Sequence, residues 1–423
     1  MKKNFIVPLI GLAVFLILMA FKKGDNPGAK IKGVLYMQTN GIKNEIIRYA
    51  RMENGSLKEL QRISTGGAGS GTYKPIYDHP NDPNAFEGAK SIILTSDHKW
   101  LFTTNGGNNS VSSFKVADDG KLTLMDVQTT GQPVAGKSGT AKSLSYAENS
   151  HTLYVLHSFG PDHIRMFSVN NGMLTQKPGS YTANIGDKHR VATEIVLTPD
   201  NKFLLVNNLF DQMPGIKPDG SPMVVVSNMV DKDGLVVFPV NADGTLGAAS
   251  FQDAGGAAGF DLAFLHGSNT NFINSYAASN GIAMCNINAA GKVTCSPVVM
   301  INQQIGQPSE LCWLQISPDN KQVYTVDFGY SYISSFKIDN GNISVLQDPA
   351  SEAVPGDGKF KALDKVMSSG PNDNWLSPDG KYYYQIYPNA SKLISYKTNE
   401  NGKLTKIDTK DIPYTSPQGL AGF

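Results

Sequence analysis

Six residues at one recurring position have side chains suited to chemistry. A phrase of the type Ser-Pro-Asp-Gly-Lys recurs along the chain, each time after a short apolar strand. At the heads of those strands stand Lys90 and Ser91, Lys142 and Ser143, Thr193 and Glu194, Asp261 and Leu262, Cys312 and Trp313, and Asn372 and Asp373. If the heads meet, Lys90, Lys142, Glu194, Asp261, Trp313 and Asp373 surround one mouth. Such a mouth suits a small polar molecule. Glu194 or Asp261 can act as a general base where a pocket raises its pKa. The plainer reading, and the preferred one, is that the opposite charges neutralise one another in a hydrated channel. No catalytic residue is assigned from these positions.

What positions them is a repeat. The phrase reads "LTSDHKWLF" at Leu94–Phe102, "LTPDNKFLL" at Leu197–Leu205, "ISPDNKQVY" at Ile316–Tyr324 and "LSPDGKYYY" at Leu376–Tyr384. Worn copies are "SLSYAENSHTLYVL" and "LAFLHGSNTNFINS". Pro presets one turn residue, Asp or Asn caps the turn, and Gly or Asn takes its left-handed position. A second phrase follows each copy, as in "VSSFKVADDGKL" and "LISYKTNENGKL". It ends on Gly55, Gly120, Gly172, Gly244, Gly291, Gly341 and Gly402. A strand, a polar pair, a Gly and another apolar residue make a hairpin. Two hairpins in about 50 residues are one propeller blade. The fold class is therefore all-β, a seven-bladed propeller of four-stranded antiparallel blades over residues 33–423.

The first unit begins at "GVLYMQTN" without an upstream strand, and the chain finishes on "PQGLAGF" (Pro417–Phe423), a strand without a continuation. The C-terminus is thus expected to supply the innermost strand of the first blade and close the ring. Three segments break the rhythm: Gly66–Gly88, Phe210–Gly234 and Pro349–Pro371. Insertions of this kind fall on propeller faces, where binding usually occurs. Asp78, His79, Asp82 and Glu87 in the first lack metal-ligand spacing and read as a solvated loop.

Composition narrows the function. A net charge of +1 with 17% charged residues argues against nucleic-acid binding. Residues 1–24 form an export signal: Lys2 and Lys3, an apolar run Phe5–Phe21, then Lys22 and Lys23. Cleavage is the favoured outcome, with an uncleaved anchor as the alternative, because the run is near the lower limit of about 17 residues for a membrane span. Residues 25–32 read as a linker. The protein is expected to be exported, whether periplasmic, cell-surface or secreted, and monomeric, meeting the membrane only through this segment. Cys285 and Cys295 flank the turn "NAAGK" and either face each other as a disulfide or stay buried thiols. Cys312 reads as core. No cofactor and no metal site is expected. There is no nucleophile elbow and no HExxH, and "GGAGSG" lacks the helix and Lys of a phosphate loop. Among the histidines, only His189 falls near the expected mouth. His157 and His163 lie one hairpin apart, and a surface location is the default for all of them.

The repeated "SPDGK" turns, the "SSFKVADDGKL" hairpins and the terminal "PQGLAGF" resemble the lactonase-like seven-bladed propellers, the group of 6-phosphogluconolactonases and carboxymuconate cyclising enzymes. The "CW" inner strand at Cys312–Trp313 resembles that of exported bacterial members. The resemblance spans Gly33–Phe423. It implies a His and an Arg at inner-strand heads, a Glu after a second strand and a further Arg. At the corresponding places this chain has Thr193, Phe260–Asp261, Ser275–Ala277 and Phe328. His189 and Arg190 lie a few residues before Thr193. Loss of one donor to a developing oxyanion costs about two to three orders of magnitude in rate. The expected function is accordingly a binding propeller that takes a small polar molecule or a protein partner at the mouth. The alternative is a lactone hydrolase or cycloisomerase with a rearranged site. A quinone- or metal-dependent dehydrogenase ranks last.

Overall fold

The computed structural model describes residues 30–69, 71, 88–131, 140–212, 215–216, 222–223, 230, 232–301, 310–358, 361–362, 365–366 and 368–423. The N-terminal apolar run and the group Asp78, His79, Asp82 and Glu87 lie outside them.

Each Ser/Thr-x-Asp turn closes in the same way. The hydroxyls of Thr95, Thr198, Ser317 and Ser377 donate to Asp97, Asp200, Asp319 and Asp379 two residues on, at 2.6–2.8 Å. The same carboxylates accept the backbone N–H of Lys99, Lys202, Lys321 and Lys381. This is the Asx-type turn that the phrase encodes. All seven hairpin glycines sit at φ between +77° and +81°, where an L side chain is strained.

The hairpins assemble into seven antiparallel sheets of the expected kind. Blade 1 comprises Ile31–Gln38, Glu45–Met52, Leu57–Ser64 and, innermost, Leu420–Gly422. The innermost strands of blades 2 to 7 are Ile92–Leu94, Ala141–Ala147, Val191–Leu197, Gly259–Phe264, Leu311–Ile316 and Asn374–Leu376. Blade 5 adds a short outer piece, Val299–Met300, on its third strand.

Alternation along each strand sends side chains to the two flanking seams. Leu204 and Val206 enter the core shared with blade 3, while Leu205 enters the core shared with blade 5. Every seam has such an apolar cluster, and the seam between blades 1 and 7 joins Leu35, Met37 and Leu420 to Tyr384 and Ile386.

The ring closes as expected. Leu35, Tyr36 and Met37 pair with Gly422, Ala421 and Leu420, and Val34 and Phe423 exchange both backbone hydrogen bonds, at 2.9 and 3.0 Å. Gly33 is required here, because a Cβ would lie 2.0 Å from the Phe423 carbonyl oxygen. Cys285 and Cys295 stand directly opposite across their hairpin and are joined as a disulfide, which decides between the two readings left open by the sequence. Cys312 is a buried free thiol, as expected.

Removing Pro417–Phe423 should therefore lower the melting temperature by about 5 °C or more. A truncated chain that melts like the intact one would contradict closure through this strand.

Candidate functional site at the axial mouth

The heads of the innermost strands are irregular where the candidate residues stand. In blades 3 to 6 the register with the second strand slips at Ala141/Ser143, Ala192/Glu194, Gly259/Leu262 and Leu311/Leu314. Such bulges re-aim side chains. Lys90, Ala258 and Glu310 enter their strands in the left-handed region, at φ +61°, +61° and +60°. For a non-glycine residue that conformation costs on the order of 1–3 kcal/mol and persists only where surrounding contacts enforce it.

The re-aimed side chains bond to the next blade. Ser143 of blade 3 accepts the Ile195 N–H of blade 4 at 3.2 Å. Glu194 Oε2 of blade 4 accepts the Leu262 N–H of blade 5 at 2.6 Å. Asp261 Oδ2 of blade 5 accepts the Leu314 N–H of blade 6 at 2.9 Å. Asp373 Oδ2 of blade 7 accepts the Gly419 N–H at 2.7 Å, just before the closing strand. One oxygen of each carboxylate is thus engaged in holding the ring together.

Lys90 crosses from blade 2 to this group. Its Nζ pairs with Glu194 Oε1, lies 3.6 Å from Asp261 Oδ1 and donates to the Leu262 carbonyl oxygen at 2.9 Å. Its backbone N–H reaches the Asp373 carboxyl. The Lys90 side chain is 35% exposed, while those of Glu194 and Asp261 are 0% and 5% exposed, so the lysine is the wet member of the cluster. Burial opposes its charge, but Glu194 and Asp261 outweigh burial and hold its pKa above the ordinary lysine value. Burial, then the neighbouring Asp261 charge, pushes Glu194 well above the carboxylate range. The same two causes raise Asp373 to about 8.

Lys90, Glu194, Asp261 and Asp373 therefore come together. Trp313 does not join them. It is wholly buried with Phe260, at 4.5 Å edge-on, and Phe328, at 6.4 Å, in a cluster that also holds Phe159 and Phe210. Lys142 is wholly buried at the head of blade 3; a Cβ on Gly88 would lie 3.0 Å from its own Cβ. The residues that sequence reasoning did not join are Phe260, Trp313 and Phe328. Each stands at a recognisable place in the repeat, but their convergence from two blades has no local signal.

His189 is exposed. Arg190 turns away from the axis: it bonds Asp211 at 3.0 Å and the Asp233 carbonyl oxygen at 2.6 Å, and lies over the Phe251 ring in the outermost strand of blade 4. His157 and His163 are fully buried, contrary to the surface default. His163 Nδ1 accepts the Ala183 N–H at 3.1 Å, so its Nε2 carries the proton donated to the Arg190 carbonyl oxygen. Burial lowers both histidines to about 4. No three His, Cys, Asp or Glu side chains among the described residues are grouped to hold a metal ion.

A family model described as lactonase, seven-bladed beta-propeller, matches residues 22–135 and 216–421. Solved structures share the architecture. A candidate 6-phosphogluconolactonase from Bacteroides fragilis superposes with TM-score 0.65 at 16% identity, covering 92% of this chain and 98% of that one. The periplasmic gluconolactonase of Pseudomonas aeruginosa superposes with TM-score 0.63 at 14% identity, covering 92% and 98%. At such identities the likeness shows the fold alone. No curated protein matches the chain.

The shifts carry signs that can be tested. Between about pH 4 and pH 8, folded Asp373 keeps a proton that the unfolded chain has lost, so its contribution to stability falls as pH rises. Asp373→Asn keeps an oxygen for the Gly419 N–H and removes this slope. Denaturant unfolding between pH 5 and pH 7 should show the variant gaining on the wild type by about 1 kcal/mol per pH unit; a constant difference would contradict a raised Asp373. The histidines act oppositely. Unfolded imidazoles take up protons below about pH 6.5, whereas folded His157 and His163 do so only near 4, so stability should drop as pH falls through that window.

Proposed function

This chain belongs to the family of seven-bladed lactonase propellers, and we propose that within it the molecule is an exported binding protein and not a lactone hydrolase. One observation carries the reading. Phe260, Trp313 and Phe328 pack together at the head of the channel, and the nearby Lys90 ammonium is already paired with Glu194 and Asp261.

Opening a lactone builds negative charge on the carbonyl oxygen, and catalysis needs donors aimed at it. The phenyl rings of Phe260 and Phe328 supply none, and the lone donor of the trio, the Trp313 indole N–H, is buried inside the aromatic cluster and bonds nothing among the described residues. Glu194 is sealed from solvent with Oε2 on the Leu262 N–H and Oε1 on the Lys90 ammonium, so as a base it would first have to give up one of these contacts. What remains suited to function is recognition. A small polar molecule or a protein partner would meet the rim of the mouth.

Export is supported from three sides. The N-terminal apolar run has lysine flanks. The Cys285–Cys295 disulfide suits an oxidising compartment. A structural neighbour is described as periplasmic.

Purified protein should give no turnover above buffer across a panel of sugar and aliphatic lactones, with folding verified by circular dichroism. Reproducible lactone hydrolysis that is lost in Glu194→Gln and in Lys142→Ala would overturn the binding reading in favour of a rearranged hydrolase.

A further inference from the structure

The third insertion, Pro349–Pro371, leaves the blade rhythm, and its first part builds a wall. Val354 N–H bonds the Ser331 carbonyl oxygen at 2.9 Å, Pro355 bridges to Ser368, and Asp357 N–H bonds the Asn389 carbonyl oxygen at 3.1 Å. This wall faces blade 7 at its outer half. There the antiparallel register puts Ile394 beside Thr409 and Tyr396 beside Lys406 on one face of the sheet. Between wall and sheet lies a cleft of about 440 Å³, a size typical of small-molecule sites.

Its chemistry is mixed in a directed way. Lys392 is paired with Asp411, but Lys406 has no acidic partner among the described residues although it lines the same cleft. Tyr414 is 40% exposed and donates its hydroxyl to Asp357. Ile394 gives an apolar patch on the sheet side, and Val354 and Pro355 the apolar part of the wall. At the inner corner Asn389 is 1% exposed, and its Oδ1 lacks a donor. Ser391 and Thr409 add hydroxyls.

We propose that this cleft binds a uronate, that is, a pyranose-sized hydroxylated ring carrying one carboxylate. The carboxylate meets Lys406, the ring face lies on Tyr414, and the ring hydroxyls serve Ser391, Thr409 and the Asp357 carboxylate. A phosphorylated ligand would bring two negative charges to a single uncommitted lysine. A neutral sugar would leave that lysine unmatched. A purely apolar acid would cover Asp357 and the two hydroxyls without replacing their hydrogen bonds with water, which is costly. The site is on the flank of blade 7 and does not depend on what the axial mouth does.

Calorimetric titration of the full chain with glucuronate tests this, with glucose and benzoate as parallel ligands. Saturable binding of glucuronate is expected, at least tenfold weaker for glucose and for benzoate. Lys406→Ala and Tyr414→Ala, both at exposed positions, should each weaken glucuronate binding by about tenfold or more, while Lys99→Ala, an exposed lysine on blade 2, leaves it unchanged. Absence of binding, binding indifferent to Lys406→Ala, benzoate binding as tightly as glucuronate, or loss in Lys99→Ala would each overturn the assignment. None of these results bears on lactone turnover, which tests the axial reading separately.

Discussion

The innermost strand of a propeller blade is an edge strand. Its second neighbour is on one side only, and on the other its backbone N–H groups face the axis. Near the mouth, where the strands diverge, those groups are buried and an orphan costs about 1–3 kcal/mol. This chain meets the constraint with side chains from the preceding blade. Glu194 takes the Leu262 N–H, Asp261 the Leu314 N–H and Asp373 the Gly419 N–H. The bulges that re-aim those side chains, the left-handed entries that precede some of the strands and the lysine that crosses to the carboxylates follow from that need.

Three carboxylates gathered for this purpose create a second problem, their mutual repulsion under burial. Lys90 offsets part of it by reaching Glu194 and Asp261 together. Proton retention by Asp373 offsets more. The cluster that looks like acid–base machinery is thus accounted for by ring closure, with its charges balanced inside the molecule. The aromatic packing of Phe260, Trp313 and Phe328 fits the same picture, since among the described residues it fills the heads of these strands with rings and buries the Trp313 indole N–H, the one donor it contains.

The sequence discloses what is local. The Ser/Thr-x-Asp turns, the glycines at the hairpin tips and the unmatched strands at the two ends each follow from a few adjacent residues, and the structure has all of them. Partnerships across the ring are different. Lys90 and Glu194 lie 104 residues apart, and Lys90 reaches Leu262 over 172. Counting back from a turn places these residues at one level, but the bulges that decide their direction leave no local trace. Arg190 illustrates the limit: it stands one residue before an inner strand, yet Asp211 and Phe251 draw it outward. The burial of His163 has a similar cause, since Ala183 and Arg190, which fix its two nitrogens, lie 20 and 27 residues on. The cleft beside blade 7 needed the register of one sheet and the path of one insertion together.

Amide hydrogen exchange at Leu262 and Leu314 tests most directly whether the strand-head carboxylates hold adjacent blades together. In Glu194→Ala the Leu262 amide should lose protection while Glu194→Gln largely keeps it, and in Asp261→Ala the loss should move to Leu314. Unchanged protection of both amides in the alanine variants would contradict the account and return these carboxylates to the list of candidate catalytic groups.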